Sequence, residues 1–303
     1  ATLAELAEEG VPVVAVDADL TGSTTTKKFA AAAPENADKL FNCGIAEQNM
    51  IDVAAGLALT GHVAYTGSFA VFGTGRAYDQ IRNTVCYSNL DVKICPTHAG
   101  VSVGPDGGSH QMLEDVSLMR GLPNMRVLVP ADYAAARAAI KLAAKTPGPV
   151  YVRMGRAAVP CVYDDDVELE LGRAYVLREG SDATVVACGV EIREALAAAD
   201  MLAEEGVSIE VIDAFSVKPL DEDTITASVA KTGCCVVAEE HSVHGGLGSA
   251  VAECLARKNP APCEFVGVQD RFGKSGEFEE LLGYFNLDAA AIVEAVKRAR
   301  GRK

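Results

Sequence analysis

The chain has 303 residues, long for one core and comfortable for two domains of about 150 residues each. Hydrophobic residues make up 49% and charged residues 23%, the balance of a soluble globular protein, and with no Trp and 6% aromatics the packing must lean on Ala, Val, Leu and Ile. A net charge of −15 argues against nucleic acid or an anionic membrane held through a general field, and an anionic substrate would need a local basic pocket.

A buried strand is expected first at 11–18, VPVVAVDA, running into the polar turn DADLTGS at 17–23. The stretch NCGIAEQNMIDVAAGLAL then reads as a helix over 44–60 with Asn42 as N-cap. Positions 47, 51, 54 and 58 share one face, and that face is apolar except for Glu47. Two answers stay open at this point: an acid favoured in a first helical turn by the macrodipole, or a poorly solvated carboxyl that shares a proton with a ligand. A strand over 62–66 leads to Phe69 and Phe72, which alone would read as core residues, and to a helix over 75–88. Its GTG lacks the full dinucleotide fingerprint.

Next come a strand at 91–97 and the loop THAGVSVGPDGGSHQ, 97–111. Glycines and Pro105 impose tight geometry there while Asp106, Ser109, His110 and Gln111 crowd polar groups around it; an ordinary surface turn is the alternative. A helix over 112–120, a strand over 125–130, a helix over 132–145 and a strand over 149–154 end in RMGR, which brings Arg153 and Arg156. An arginine, His98 and the Ser23 hydroxyl would together suit a phosphate monoester.

Residues 157–174, with a proline and three consecutive aspartates, make the best linker. Beyond it, strands at 183–189, 207–214, 234–240 and 262–268 alternate with helices at 191–205, 221–231, 246–257 and 288–300. HGGLGSA (244–250) is a weak phosphate-loop candidate and a better helix start. The fold class expected is α/β: two consecutive three-layer domains with mostly parallel sheets, over 1–160 and 175–303 and joined by 161–174. Ligands of such sheets bind beyond the carboxyl ends of the strands, where the polar clusters lie.

No apolar run reaches the roughly 18–20 residues of a membrane span, and no signal peptide opens the chain. Nine cysteines without a C-x-x-C read as reduced, buried thiols in the cytoplasm. The five histidines form no zinc motif, so metal ligation by this chain is not expected.

Taken in order, GIAEQNM, SFAVF…RAYDQIR and GPDGGSHQ resemble the pyrimidine-binding domain of transketolase and its thiamine-diphosphate-dependent relatives. VKPLD (217–221), EEHSVHGGLGSA (239–250) and DRFGKSG (270–276) are similar to their C-terminal domain, so the resemblance spans the chain. The family's Gly-Asp-Gly fingerprint for Mg²⁺ and diphosphate is missing. The chain therefore resembles the C-terminal subunit of a split transketolase.

That resemblance implies thiamine diphosphate as cofactor, with Mg²⁺ or Ca²⁺ held mainly by an N-terminal subunit that carries the diphosphate-binding domain. An α2β2 heterotetramer acting on sugar phosphates would follow. Glu47 matches the glutamate that hydrogen-bonds the aminopyrimidine N1′, Phe69 and Phe72 the aromatic positions around that ring, and Asp19 a residue near the thiazolium and sugar. Tyr78 is a further candidate for the ring. Asp106 and His110 match residues that contact substrate hydroxyls and assist proton movements; Ser23, His98 and Arg156 match the distal phosphate site. The family's arginine upstream of the first strand has no counterpart in ATLAELAEEG. The C-terminal domain is expected to support assembly rather than chemistry, so His241 and His244 are not nominated. A deoxyxylulose-5-phosphate synthase, a beta subunit of the pyruvate dehydrogenase type and a non-catalytic scaffold are the competing readings.

Overall fold

The computed structural model describes residues 1–303. Its first half runs α1 (Thr2–Glu8), β1 (Val13–Asp17), α2 (Thr26–Ala30), β2 (Leu40–Asn42), α3 (Glu47–Leu59) and β3 (Val63–Gly67). A helical run follows in three parts: a π-helical Val71–Arg76, α4 (Tyr78–Gln80) and a second π-helical segment, Ile81–Tyr87. Then come β4 (Val92–Ile94), a 3-10 segment Val101–Asp106, α5 (Asp115–Arg120), β5 (Arg126–Leu128), α6 (Tyr133–Lys145) and β6 (Val150–Val152). The second half comprises β7 (Tyr175–Arg178), β8 (Ala183–Ala187), α7 (Glu191–Glu204), β9 (Ile209–Asp213), β10 (Ser216–Lys218), α8 (Glu222–Thr232) and β11 (Cys235–Ser242). It closes with α9 (Leu247–Lys258), β12 (Cys263–Val268), α10 (Phe278–Phe285) and α11 (Ala289–Arg300).

Two sheets result, a 7-stranded one in the order β10-β5-β6-β4-β3-β1-β2 and a 5-stranded one in the order β12-β11-β8-β9-β7. Every strand pair is parallel except β10 with β5 and β7 with β9. All five residues of β1, β3, β8 and β9 are buried, as expected for parallel strands covered by helices on both faces. This is why they read as continuous valine-rich runs rather than alternating ones.

The two sheets are tied together. β10 leaves the second half of the chain and adds an antiparallel edge to the first sheet, pairing Ser216 with Leu128. Lys218 extends this by donating from Nζ to the Arg120 and Leu122 carbonyls. One apolar cluster is continuous from Val16 and Ile94 through Met119 and Met125 to Ile212 and Val237.

Several local expectations are corrected. Asn42 does not cap α3; it ends β2, and its Oδ1 accepts from the Asp19 and Gly44 N–H groups, so the helix starts at Glu47 with Ala46 as N-cap. Helical geometry in the aromatic run begins at Val71 rather than 75 and is π-helical at both ends. Tyr78 is half-buried against the core cluster and makes no ring contact with the two phenylalanines. The cysteines are all unpaired, but Cys161 is exposed. No helix is long and apolar enough to cross a membrane.

Candidate functional site

The carboxylate that breaks the apolar stripe of α3 is buried: Glu47 is 3% exposed, and Ile51 and Ala54 below it are closed to solvent. Its only side-chain partner is Arg76, whose Nη1 donates to Oε1 at 3.0 Å and to Oε2 at 2.9 Å. Arg76 itself is half-exposed, and its guanidinium lies 4.7 Å from the centre of the Phe72 ring. The π-helical turn Val71–Arg76 carries both residues. A wider turn of this kind re-aims side chains and recurs at functional positions in helices.

Beside Phe72 the aromatic cluster continues. Phe69 and Phe72 stand 6.3 Å apart and nearly parallel, and the His98 ring stacks on Phe69 with 3.8 Å between centroids. His110 meets Phe72 edge-on at 5.3 Å and Phe69 at 6.2 Å. Phe69, Phe72, His98 and His110 thus converge from two segments of the chain, with Arg76 and Glu47 at one border.

Backbone geometry explains how the 97–111 loop delivers its side chains. Residues 69 and 97 form an isolated parallel bridge, as do 99 and 112, so the loop leaves and re-enters the sheet at fixed points. His98 has φ of +65°, an unfavourable conformation for a residue with a Cβ, and its Nδ1 bonds the Thr97 hydroxyl at 2.8 Å. Burial, reinforced by the Arg156 charge, pushes His98 down to about 4 against a weaker opposing pull from Asp106. His98 is therefore a neutral imidazole near pH 7, able to donate or accept but not to serve as a cation. Arg156 is exposed and donates from Nη1 to the Val103 carbonyl at 2.9 Å, so it borders the same loop. Asp106 is exposed and His110 half-buried, with Nδ1 bonded to the Ser109 hydroxyl at 2.9 Å.

The turn after β1 is held by an acid that the sequence reading passed over. Asp17 is fully buried; Oδ1 accepts from the Leu20 N–H at 2.7 Å and Oδ2 from the Thr24 and Thr26 hydroxyls at 2.7 and 2.8 Å. A Cβ at Gly67 would stand 2.8 Å from the same Oδ2, so that neighbour must stay a glycine. Asp19, exposed and with φ of +64°, exchanges two hydrogen bonds with Asn42. Ser23 is exposed in this turn and makes no side-chain hydrogen bond, so none joins it to His98 or Arg156. A cavity of about 250 Å³ lies alongside, lined by their chain neighbours Thr24 and Thr97 with Phe29, Tyr65 and Met154; Glu47, Phe72 and His110 do not line it.

Arg153 does not join Arg156 at the surface. It is buried and donates from Nε to Asp115 Oδ2 at 2.7 Å and from Nη2 to the Glu240 carbonyl at 2.9 Å. Burial would lower its pKa, but the Asp115 carboxylate holds it above the ordinary value. The same Asp115 oxygen accepts from the Tyr151 hydroxyl at 2.5 Å. Arg153 is a buried tie between α5, β6 and β11. Arg153 follows β6 directly and reaches the same Asp115 as Tyr151, whereas Arg156 lies in the exposed bend beyond, and nothing in RMGR alone tells the two apart.

Against this loop sits Glu240, whose Oε1 accepts from the Ser102 N–H. Its carboxyl packs so close to Gly100 that a Cβ there would come within 2.2 Å of Cδ. Burial pushes Glu240 up to about 7, with Arg153 and the Ser102 N–H pulling the other way. Arg76 and Asp17 were both missed from sequence. Arg76 is the first cation after Phe72, and Asp17 ends an otherwise apolar strand before the threonine-rich TGSTTT; those were the available signals.

Residues 1–162 match the family model described as "Transketolase, pyrimidine binding domain", and residues 172–292 match "Transketolase, C-terminal domain". The chain is 45% identical over 298 residues to a provisionally named transketolase C-terminal section of Methanocaldococcus jannaschii, covering 97% of this chain and 92% of that one. It is 42% identical over 301 residues to the "6-deoxy-6-sulfo-D-fructose transketolase subunit SqwH" of a Clostridium species, covering 99% and 92%. A solved structure titled "Split gene transketolase, inactive beta4 tetramer" superposes with a TM-score of 0.90 at 48% identity, covering 100% of this chain and 96% of that one.

Proposed function

The chain belongs to the transketolase family as a C-terminal subunit, and from that premise we propose that it transfers a two-carbon ketol unit from a ketose phosphate to an aldose phosphate. Thiamine diphosphate is then shared with an N-terminal subunit, which holds the diphosphate and its Mg²⁺ or Ca²⁺, in an α2β2 assembly in the cytoplasm.

One observation carries this reading. The Arg76 guanidinium, a planar group with N–H donors, lies over the Phe72 ring while it satisfies both oxygens of buried Glu47. A planar aminopyrimidine would make the same two demands: an aromatic face to lie against and a carboxyl at one ring edge. The residues present therefore fit the cofactor's pyrimidine end. When bound, thiamine diphosphate supplies the nucleophilic carbon that takes up and releases the two-carbon unit.

Within the proposal each residue has a physical task. Glu47, shielded from water, holds a proton at the pyrimidine N1′ and so fixes that ring's tautomer. Phe69 and Phe72 pack the ring and exclude water from the carboxyl. Asp19, oriented by Asn42, lies near the thiazolium and sugar. His110 and Asp106 reach substrate hydroxyls, with His110 moving a proton at the hydroxyl oxygen. Neutral His98, Ser23 and Arg156 hold the distal phosphate, His98 by hydrogen bonding and Arg156 by charge.

The test is to co-purify the chain with a partner carrying the Gly-Asp-Gly fingerprint and to measure ketol transfer between sugar phosphates. Product formation supports the reading. Acyl rather than ketol transfer would favour a dehydrogenase-type subunit, and an inert complex a scaffold.

A further inference from the structure

The C-terminal domain touches the 97–111 loop in a way that assembly alone would not require. Gln111, 4% exposed, points across to the segment Gln269–Gly276 between β12 and α10. Its Oε1 accepts from the Lys274 N–H at 2.7 Å, and its Nε2 donates to the Lys274 carbonyl at 2.9 Å and to the Val101 carbonyl at 3.0 Å. Three of the four hydrogen bonds open to a carboxamide are thus made, all to backbone, and they join two segments 163 residues apart in sequence.

Close approach of the two backbones has been built in on both sides. A Cβ on Gly273 would come within 1.8 Å of Gln111 Oε1, one on Gly108 within 2.7 Å of the Gly273 carbonyl oxygen, and one on Gly107 within 2.3 Å of Ser275 Oγ. Gly104 and Gly107 also have φ of +79° and +73°, which a side chain would disfavour. The docking segment is itself held from behind. Arg271 donates from Nη2 to the Tyr284 carbonyl at 2.8 Å, and Lys274 Nζ lies 4.1 Å from the centre of the Tyr284 ring. Val101 within the loop and Leu113 just beyond it are buried in the second domain's core with Leu281 and Phe285.

We propose that Gln111 is a positioning residue: its carboxamide clamps the backbones of Val101 and Lys274 and so fixes the loop that carries Asp106 and His110 against substrate. The role rests on the transketolase reading of those two residues; the clamp itself does not. Gln111 lies one residue from His110 but turns the opposite way, into the domain junction. It therefore sets where the His110 ring stands beside Phe72 without meeting substrate. The Lys274 segment of the C-terminal domain becomes part of the apparatus that shapes the substrate end of the site.

The experiment has two arms on the full chain assembled with its partner. In the first, Gln111→Ala lowers kcat/KM for sugar phosphates about 10- to 100-fold, the scale of a misplacement of about 1 Å, while thiamine diphosphate affinity and assembly stay as in wild type. Gln111→Glu keeps the acceptor for the Lys274 N–H but turns a second oxygen toward two carbonyls. Its activity relative to wild type therefore rises as pH falls and that oxygen gains a proton, a pH profile that a purely structural loss would not give. Gly273→Ala lowers activity in wild type and adds less on top of Gln111→Ala, because Oε1 and Cδ, which it strikes hardest, are gone and only the Cβ at 3.0 Å remains.

The second arm needs no turnover: hydrogen exchange at the Lys274, Gly107 and His110 amides, whose acceptors are Gln111 Oε1, Gly104 O and Gly107 O, is at least about 10-fold faster in Gln111→Ala. Wild-type kcat/KM in Gln111→Ala, or unchanged exchange at Lys274, overturns the proposal. If wild type itself shows no ketol transfer, the functional reading fails, and the exchange result alone decides the clamp.

Discussion

Replacing Glu240 with glutamine should stabilise the protein above neutral pH and do little below pH 5. Glu240 is 3% exposed, and burial raises its carboxyl from 4.5 to about 7. Between those values the folded chain keeps a proton that the unfolded chain has released. Stability is therefore fully present below pH 4.5 and is lost as pH rises toward 7. At about 1.4 kcal/mol per pH unit, the carboxyl costs about 3 kcal/mol at pH 8 relative to pH 4.5. Glutamine does not titrate. It keeps an oxygen for the Ser102 N–H, and its amide can turn to the buried Ser102 hydroxyl.

The other titratable groups facing this position are Arg153, Asp115 and Glu191. Glu191 is fully buried with neither oxygen hydrogen-bonded, and burial and the nearby Glu240 charge push it well up, in the same sense. Thermal unfolding of wild type and Glu240→Gln at pH 5 and pH 8 is the assay. The variant should melt about 5 °C higher than wild type at pH 8, with the gap closing at pH 5. A gap that is equal at both values, or a variant less stable at pH 8, would refute the argument that burial holds the proton on Glu240.

Two further predictions concern the site. Glu47→Gln should keep the fold and the pocket but lose the shared proton, with turnover of the assembled, cofactor-saturated enzyme falling at least about 100-fold; near-wild-type turnover would return Glu47 to a helix-dipole role. Arg156→Ala should raise KM for a phosphorylated donor with little change in kcat, since a phosphate contact acts on substrate and transition state alike. Hydroxypyruvate, which has no phosphate, should be unaffected, and an equal penalty on both donors would remove Arg156 from the phosphate site.

Much of the architecture could be read from the chain because parallel strands buried on both faces leave continuous apolar runs such as VVAVD and ATVVA. β10 could not. It is three residues long and finds its partner, β5, in the other sheet, so no local pattern announces it. The α3 start was misplaced because Asn42 has the right chemistry for a cap but spends its side chain on Asp19 and Gly44. π-helical turns leave no distinctive period, and so Arg76 was not placed on Glu47. The candidate residues themselves stood out because glycine, proline and polar groups crowd between strands. What holds them did not: Glu240 reaches Ser102 across 138 positions and Gln111 reaches Lys274 across 163, pairings that only the folded chain creates.

We propose that this chain supplies the pyrimidine and substrate end of a site whose metal–diphosphate end belongs to another polypeptide. Titrating thiamine diphosphate with Mg²⁺ into the chain alone and into the chain mixed with a Gly-Asp-Gly partner, with ketol transfer measured on both samples, tests it most directly. Weak binding and no transfer by the chain alone, with tight binding and turnover on mixing, is the expected result. Micromolar Mg²⁺-dependent binding and full turnover by the isolated chain would contradict it.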